Sequence, residues 1–202
     1  MRYDLVRTGV LIVISAPSGG GKSEVLKRLL AEDPRIRYSV SYTSRPPRPN
    51  EVDGVNYHFV SRDEFKKLIA SHAFYEWAEV HGNLYGTSAK VVEEAIEKGQ
   101  DIAMDIDVEG GLNVKRRQPN AVLVFLMPPS MTILEQRLRG RASDAEDQVQ
   151  LRLKNAIKEI DQWKSYDFVV TNDEITRTVA QVKTIVEASR LRTPLYEMRR
   201  LP

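Results

Sequence analysis

The chain of 202 residues contains no cysteine. Disulfides, thiolate metal centres and a cysteine nucleophile are therefore excluded, and a reducing cytoplasm is the compartment this usage suits. Long apolar runs are missing as well. The two evident ones, at residues 10–14 and 121–127, fall far short of the roughly 20 residues a membrane-spanning helix needs. The opening "MRYDLVRTG" has no signal-peptide character. Nor does either sign of charge dominate, since 30 basic and 28 acidic residues leave a formal net charge of +2. A nucleic-acid coat or a polybasic membrane tether would show a one-sided balance. His58, His72 and His81 stand at no metal-ligand spacing and read as surface or packing residues. What is present is a chain 42% hydrophobic, long enough for one compact domain with a large core.

Four runs of branched residues, at 10–14, 102–106, 121–127 and 168–170, lack in–out alternation and read as strands covered on both faces. Between them, "SEVLKRLLAED" places Val25, Leu26, Leu29 and Leu30 on one helical face. "SAKVVEEAIEKG" does the same with Val91, Val92, Ala95 and Ile96, starting near Ser88 and ending at Gly99. Alternating strands and helices predict an α/β fold, a three-layer parallel sheet with helices on both faces. Residues 39–87 break the rhythm. Their turn formers, a Ser61–Glu64 capping pair and two short strands about a Gly82-Asn83 turn predict a small α+β insertion. In "FYEWAEV" alternation sets Tyr75 and Trp77 on one face and Glu76 on the other. Residues 128–163 are a second atypical segment, charged and helical.

Ala16-Pro17-Ser18-Gly19-Gly20-Gly21-Lys22-Ser23 joins the first run to the first helix. Three successive glycines let backbone N–H groups turn inward around an anion, and the helix beginning there adds its positive dipole end. Lys22 can reach β- and γ-phosphates, and the Ser23 hydroxyl can ligate Mg²⁺. Ala16 stands where such loops begin with glycine, and its methyl is tolerated if the residue keeps a negative φ. The loop alone implies only a nucleotide. GTPases, motor ATPases and small-molecule kinases share it, so the acceptor must be read elsewhere.

The insertion supplies candidates. Arg45 and Arg48 flank a double proline, and two planar guanidinium forks suit a terminal phosphate dianion. Tyr57 and Tyr85 can add phenolic donors. Glu76 only accepts hydrogen bonds, which matches guanine N1–H and its 2-amino group and opposes adenine; Ser41 and Thr87 can complete the reading of the base. Taken singly, Glu76 also fits a polar residue on an exposed strand face. Asp105 and Asp107 stand at the close of the strand run at 102–106, at the end that opens into the ligand crevice of a doubly wound sheet. One can face the metal and the other the acceptor, or Asp107 can cap the next helix.

"SAPSGGGKS", "SVSYTSRPPRPNEVDGVNYHFVS", "FYEWAEVHGNLYGTS", "DIDVEGG", "PPSMTILEQRLRGR" and "VTND" together resemble the guanylate kinase family, in family order over residues 10–173. The resemblance implies transfer of the γ-phosphate of ATP to GMP, and to dGMP, by direct in-line attack with Mg²⁺. It divides the chain into a core (1–38, 88–127 and 164–202), a GMP-binding insertion (39–87) and a lid (128–163). ATP is expected at residues 16–23, with Arg137, Arg141 and Asn172. GMP is expected at Ser41, Arg45, Arg48, Tyr57, Glu76, Tyr85, Thr87 and Asp107, and the metal at Ser23 and Asp105. Lys22, Arg45, Arg137, Arg141 and Arg152 are the implied catalytic cations, while Arg139 matches no lid contact. Expected partners are ATP and GMP, without nucleic acid or membrane, and self-association stays open. Glu24, Glu109 and Thr171 depart from the family pattern without removing a reactive group. The competing readings are a noncatalytic scaffold of the same fold, which would typically lose the donor loop, and a kinase for another small acceptor. The tail "LRTPLYEMRRLP" matches no family segment and reads as a frayed helix end.

Overall fold

The computed structural model describes residues 2–80, 82–140 and 146–201. In chain order the elements are β1 (Arg2–Arg7), β2 (Leu11–Ser15), α1 (Lys22–Glu32), β3 (Ile36–Tyr38), β4 (Tyr42–Thr43), β5 (His58–Phe59), α2 (Arg62–Ala70), β6 (Phe74–Val80), β7 (Asn83–Ser88), α3 (Ala89–Glu97), β8 (Asp101–Asp105), α4 (Val108–Arg117), β9 (Val122–Met127), α5 (Met131–Arg139), α6 (Glu146–Ile160), β10 (Phe168–Thr171), α7 (Ile175–Ser189) and β11 (Tyr196–Leu201).

The main sheet runs β10-β9-β2-β8-β3, with every pairing parallel. Its strands are apolar throughout because both faces are covered. In β2, Ile12 and Ile14 meet Val25, Leu26 and Leu29 of α1 and Val179, Val182 and Val186 of α7. Leu11 and Val13 meet the opposite layer, with Val92 and Ala95 of α3 and Val114 of α4. This is the expected three-layer α/β core. Parallel strands all end on one side, so the loops after β2, β8 and β10 converge there.

Between β3 and α3 the chain builds a second sheet, β5-β4-β7-β6, backed by α2. Phe65 of α2 is fully buried against Phe74 and Leu84. Ser61 caps α2 by accepting the Glu64 N–H at 3.1 Å, and Ser88 caps α3, as the spacing of these residues predicts. The turn between β6 and β7 places Gly82 at φ 77°. One strand expectation is corrected. The ladder shifts register between Phe74 and Glu76, so Tyr75 is buried while Trp77 is 44% exposed. A bulge turns one extra residue inward and breaks the period of two.

Helices α5 and α6 pack on each other through Leu134, Leu138, Val149 and Ala156. The tail is also corrected. Residues 196–201 pair antiparallel with β1, from Arg7↔Tyr196 out to Arg2↔Leu201, as a two-stranded ribbon beside the core. No helix among the described residues is long and apolar enough to cross a membrane.

Candidate active site

The loop after β2 carries two left-handed glycines, Gly19 at φ 85° and Gly21 at φ 87°. Ala16 is not among the described residues with positive φ, so its methyl is accommodated, and it points at Gly20. A Cβ on Gly20 would lie 2.6 Å from the Ala16 Cβ and 2.9 Å from the Pro17 carbonyl oxygen. The loop entrance therefore admits alanine at 16 only because residue 20 is glycine. Gly21 caps α1 with no side chain, which leaves the first N–H groups of that helix facing the loop.

Lys22 lies at the strand ends. Its Nζ donates to the Ile106 carbonyl at 2.9 Å and pairs with the Asp105 Oδ1 at 3.0 Å. Burial opposes its charge, yet the Asp105 carboxylate prevails and holds the ammonium above its ordinary pKa. The Ser23 hydroxyl donates to the other Asp105 oxygen at 3.0 Å. The two expected metal ligands thus adjoin each other, and two hard oxygens at a solvent-facing edge suit Mg²⁺, which keeps several waters and takes phosphate oxygens.

Across the crevice, Glu76 is buried, not exposed. The Thr87 hydroxyl donates to its Oε1 at 2.9 Å, and with that hydrogen engaged the Ser41 hydroxyl, 3.3 Å away, donates to Thr87. Three of the residues expected to read a base thus form one buried polar chain. Burial pushes the Glu76 carboxyl up to about 7; Thr87 works against the rise and the nearby Asp107 charge adds to it. Asp107 does cap α4, accepting the Gly110 N–H at 2.6 Å. A Cβ on Gly110 would stand 2.9 Å from a Glu76 oxygen and 3.3 Å from the Asp107 Oδ1, so both carboxylates converge on one glycine.

Arg45, Tyr57 and Tyr85 also come together. The Arg45 guanidinium lies over the Tyr57 ring at 5.1 Å, and Tyr57 meets Tyr85 edge-on with centroids 6.0 Å apart. Arg48 is exposed nearby. Both Nη atoms of Arg45 donate to Glu51, each at 2.6 Å. Glu51 escapes a sequence reading because an acidic residue in a turn-rich loop resembles any solvated one. Its spacing, three residues after Arg48, was the available signal.

On the α5–α6 side, Leu134 and Leu138 close against Gly19. Arg137 donates through Nη2 to the Asn172 carbonyl at 3.0 Å, and its Nη1 is buried without a hydrogen-bond partner. Asn172 does not reach outward. Its amide donates to the Gly20 carbonyl at 2.7 Å, so it braces the loop from below. Arg139 pairs with Glu135 and Glu146 on the surface, away from the loop. Arg152 is half-buried on α6. Arg141 and His81 lie outside the described residues. Glu159, near the end of α6, was not foreseen: it accepts the Ser18 N–H at 3.1 Å.

A guanylate kinase family model matches residues 8–189. The guanylate kinase of Zymomonas mobilis is 47% identical over 94% of this chain and 88% of its own length. That of Geobacter metallireducens is 45% identical over 93% and 92%. The crystal structure of guanylate kinase from Anaplasma phagocytophilum superposes with a TM-score of 0.80 at 35% identity, covering 95% of this chain and 92% of that one. The SH3-kinase fragment of tight junction protein 3 shares the fold alone, with a TM-score of 0.51 at 11% identity. With a matched model over nearly its whole length and relatives approaching half identity, the chain belongs to the guanylate kinase family.

Proposed function

We propose that this chain transfers the γ-phosphate of ATP to GMP, giving ADP and GDP, in one in-line step. The observation that carries the reading is what meets at the β8–α4 junction, with Lys22 of the glycine loop held at Asp105 and Ile106 and the buried Glu76 carboxylate beside Asp107 and Gly110. A purely noncatalytic scaffold has no use for Lys22 and Ser23 held at Asp105. The backbone N–H groups of residues 18–23 and Lys22 bind the donor phosphates. Glu76, supported by Thr87 and Ser41, accepts the two N–H donors of guanine. Arg45, Arg48, Tyr57 and Tyr85 hold the GMP phosphate, whose oxygen is the nucleophile, so no covalent enzyme intermediate is needed.

Ser23 and Asp105 would hold Mg²⁺, which when bound neutralises charge on the donor phosphates. Lys22 can then leave Asp105 for the phosphates. Arg137 and Arg152 on α5 and α6, with Arg141, stabilise charge spread over the moving phosphoryl group, and the unpartnered Arg137 Nη1 beside the loop is a donor available for that task. Closure of α5–α6 and the insertion would exclude water and suppress ATP hydrolysis. The absence of cysteine and of a membrane-spanning helix among the described residues agrees with work in the cytoplasm.

ADP release measured with GMP, dGMP, AMP, UMP and no acceptor tests the proposal. Turnover with GMP and dGMP alone is expected. Equal turnover with AMP would overturn the guanine reading, and release independent of any acceptor would overturn the kinase reading.

A further inference from the structure

Glu51 grips the proposed phosphate arginine with both carboxylate oxygens. Arg45 Nη1 meets Oε2 and Nη2 meets Oε1, each at 2.6 Å, while Nη1 also donates to the Pro46 carbonyl at 2.9 Å. The same Oε2 accepts the Arg48 N–H at 2.8 Å, so one carboxylate ties the two arginines' segment into a closed loop. Little of either partner is open to water, with side-chain exposures of 11% for Arg45 and 15% for Glu51. The guanidinium also lies over the Tyr57 ring. The bonds to Glu51 and Pro46 engage three N–H donors and leave Nε and the second Nη2 hydrogen.

We propose that Glu51 is a positioning residue for the acceptor phosphate, holding Arg45 in a single orientation whose remaining N–H donors meet the phosphate oxygens. An arginine left to itself in a loop must order several rotatable bonds on binding, and a preformed bidentate pair removes that cost beforehand. The carboxylate also lowers the net charge that the pocket offers. That favours an anion able to use directed hydrogen bonds over one drawn by charge alone. The inference rests on placing the GMP phosphate at Arg45.

The test compares binding of GMP and of guanosine, which lacks the phosphate, to the full chain and to Glu51→Ala, Glu51→Gln, Arg45→Ala and the Glu51→Ala/Arg45→Ala double variant. Loss of a bidentate, charge-assisted pair predicts GMP binding weakened about tenfold or more in Glu51→Ala, with guanosine binding and the KM for ATP unchanged. Glu51→Gln, which keeps the shape and one acceptor, is expected to lose less. The double variant is expected to bind GMP no worse than Arg45→Ala, because Glu51 acts through Arg45. Parallel weakening of guanosine and GMP would reduce Glu51 to a structural residue, and tighter GMP binding would make it a competitor of phosphate; either overturns the proposal. If Arg45→Ala itself leaves GMP binding unchanged, the phosphate placement fails. If only the Glu51 variants are silent, the inference about Glu51 fails alone.

Discussion

A carboxyl group with a pKa of about 7 at the centre of a recognition site makes binding depend on pH, and the sign follows from what guanine requires. In the proposed guanine site Glu76 would accept hydrogen bonds from two guanine donors only when ionised, whereas its buried, ligand-free form favours the proton. Guanosine affinity should therefore fall as pH drops below about 7, by up to roughly tenfold per unit. Using guanosine avoids the phosphate's own ionisation, which lies near pH 6. Glu76→Gln should abolish this dependence and weaken binding, since one acceptor becomes a donor facing guanine. The same raised pKa bears on stability. Its contribution is full below the unfolded value near 4.5 and is lost as pH rises through about 7. Relative to wild type, Glu76→Gln should then gain stability in urea unfolding between pH 5 and pH 8, by on the order of 3 kcal/mol at most. Lys22 and Gly20 give complementary cases. Lys22→Met should cut kcat by roughly a hundredfold or more while leaving GMP binding intact, as expected for charge stabilisation confined to the moving phosphoryl group. Gly20→Ala should weaken ATP binding, because its Cβ has no room beside Ala16 and Pro17.

At the scale of elements, legibility followed the local character of the signal. The loop at 16–23, the capping serines of α2 and α3 and the apolar runs of β2, β8 and β9 are defined by neighbours in sequence, and they appear where the pattern puts them. Glu76 was legible by chemistry but not by burial, because the bulge after Phe74 and the bond from Thr87 both depend on pairing with β7. Asn172 shows the same limit. Its position after β10 was readable, whereas its hydrogen bond to Gly20 joins residues 152 apart. Glu159 belongs to this class, carried by α6 onto the Ser18 N–H of the donor loop. A carboxylate and a triphosphate cannot share that N–H without repulsion. Glu159→Gln should lower the KM for ATP by roughly three- to tenfold through relief of like-charge repulsion, with the KM for GMP unchanged. A higher KM for ATP would instead mean that Glu159 braces the loop for binding.

Across the whole molecule, the ends of the chain are tied together far from the crevice. The ribbon of β1 and β11 lies outside the residues matched by the family model, and it sits at the opposite end of the sheet from the donor loop. No single segment announced it, since each strand is short, mixed in polarity and made by the pairing of the two termini. Its anchor is a buried ion network. Asp101, at the start of β8, binds Arg7 at 2.7 Å and Arg190 at 2.6 Å, while Arg190 also pairs with Asp33 at 2.8 Å. Arg190→Met would leave two carboxylates buried and under-compensated, a loss that typically costs about 3–5 kcal/mol. Because the network lies away from the strand ends that form the crevice, kcat and both KM values should change little at a temperature where the variant stays folded. The pH dependence separates this cause from lost packing. Arg35, and then Arg190, hold the Asp33 carboxyl well below its usual range, so their contribution is present above roughly pH 4 and is lost as the pH falls. The stability gap between wild type and Arg190→Met should therefore narrow as the pH falls below about 4, where Asp33, left with Arg35 alone, takes up a proton sooner than in wild type. A gap that stayed constant with pH would assign the loss to the arginine's hydrocarbon stem rather than to its charge.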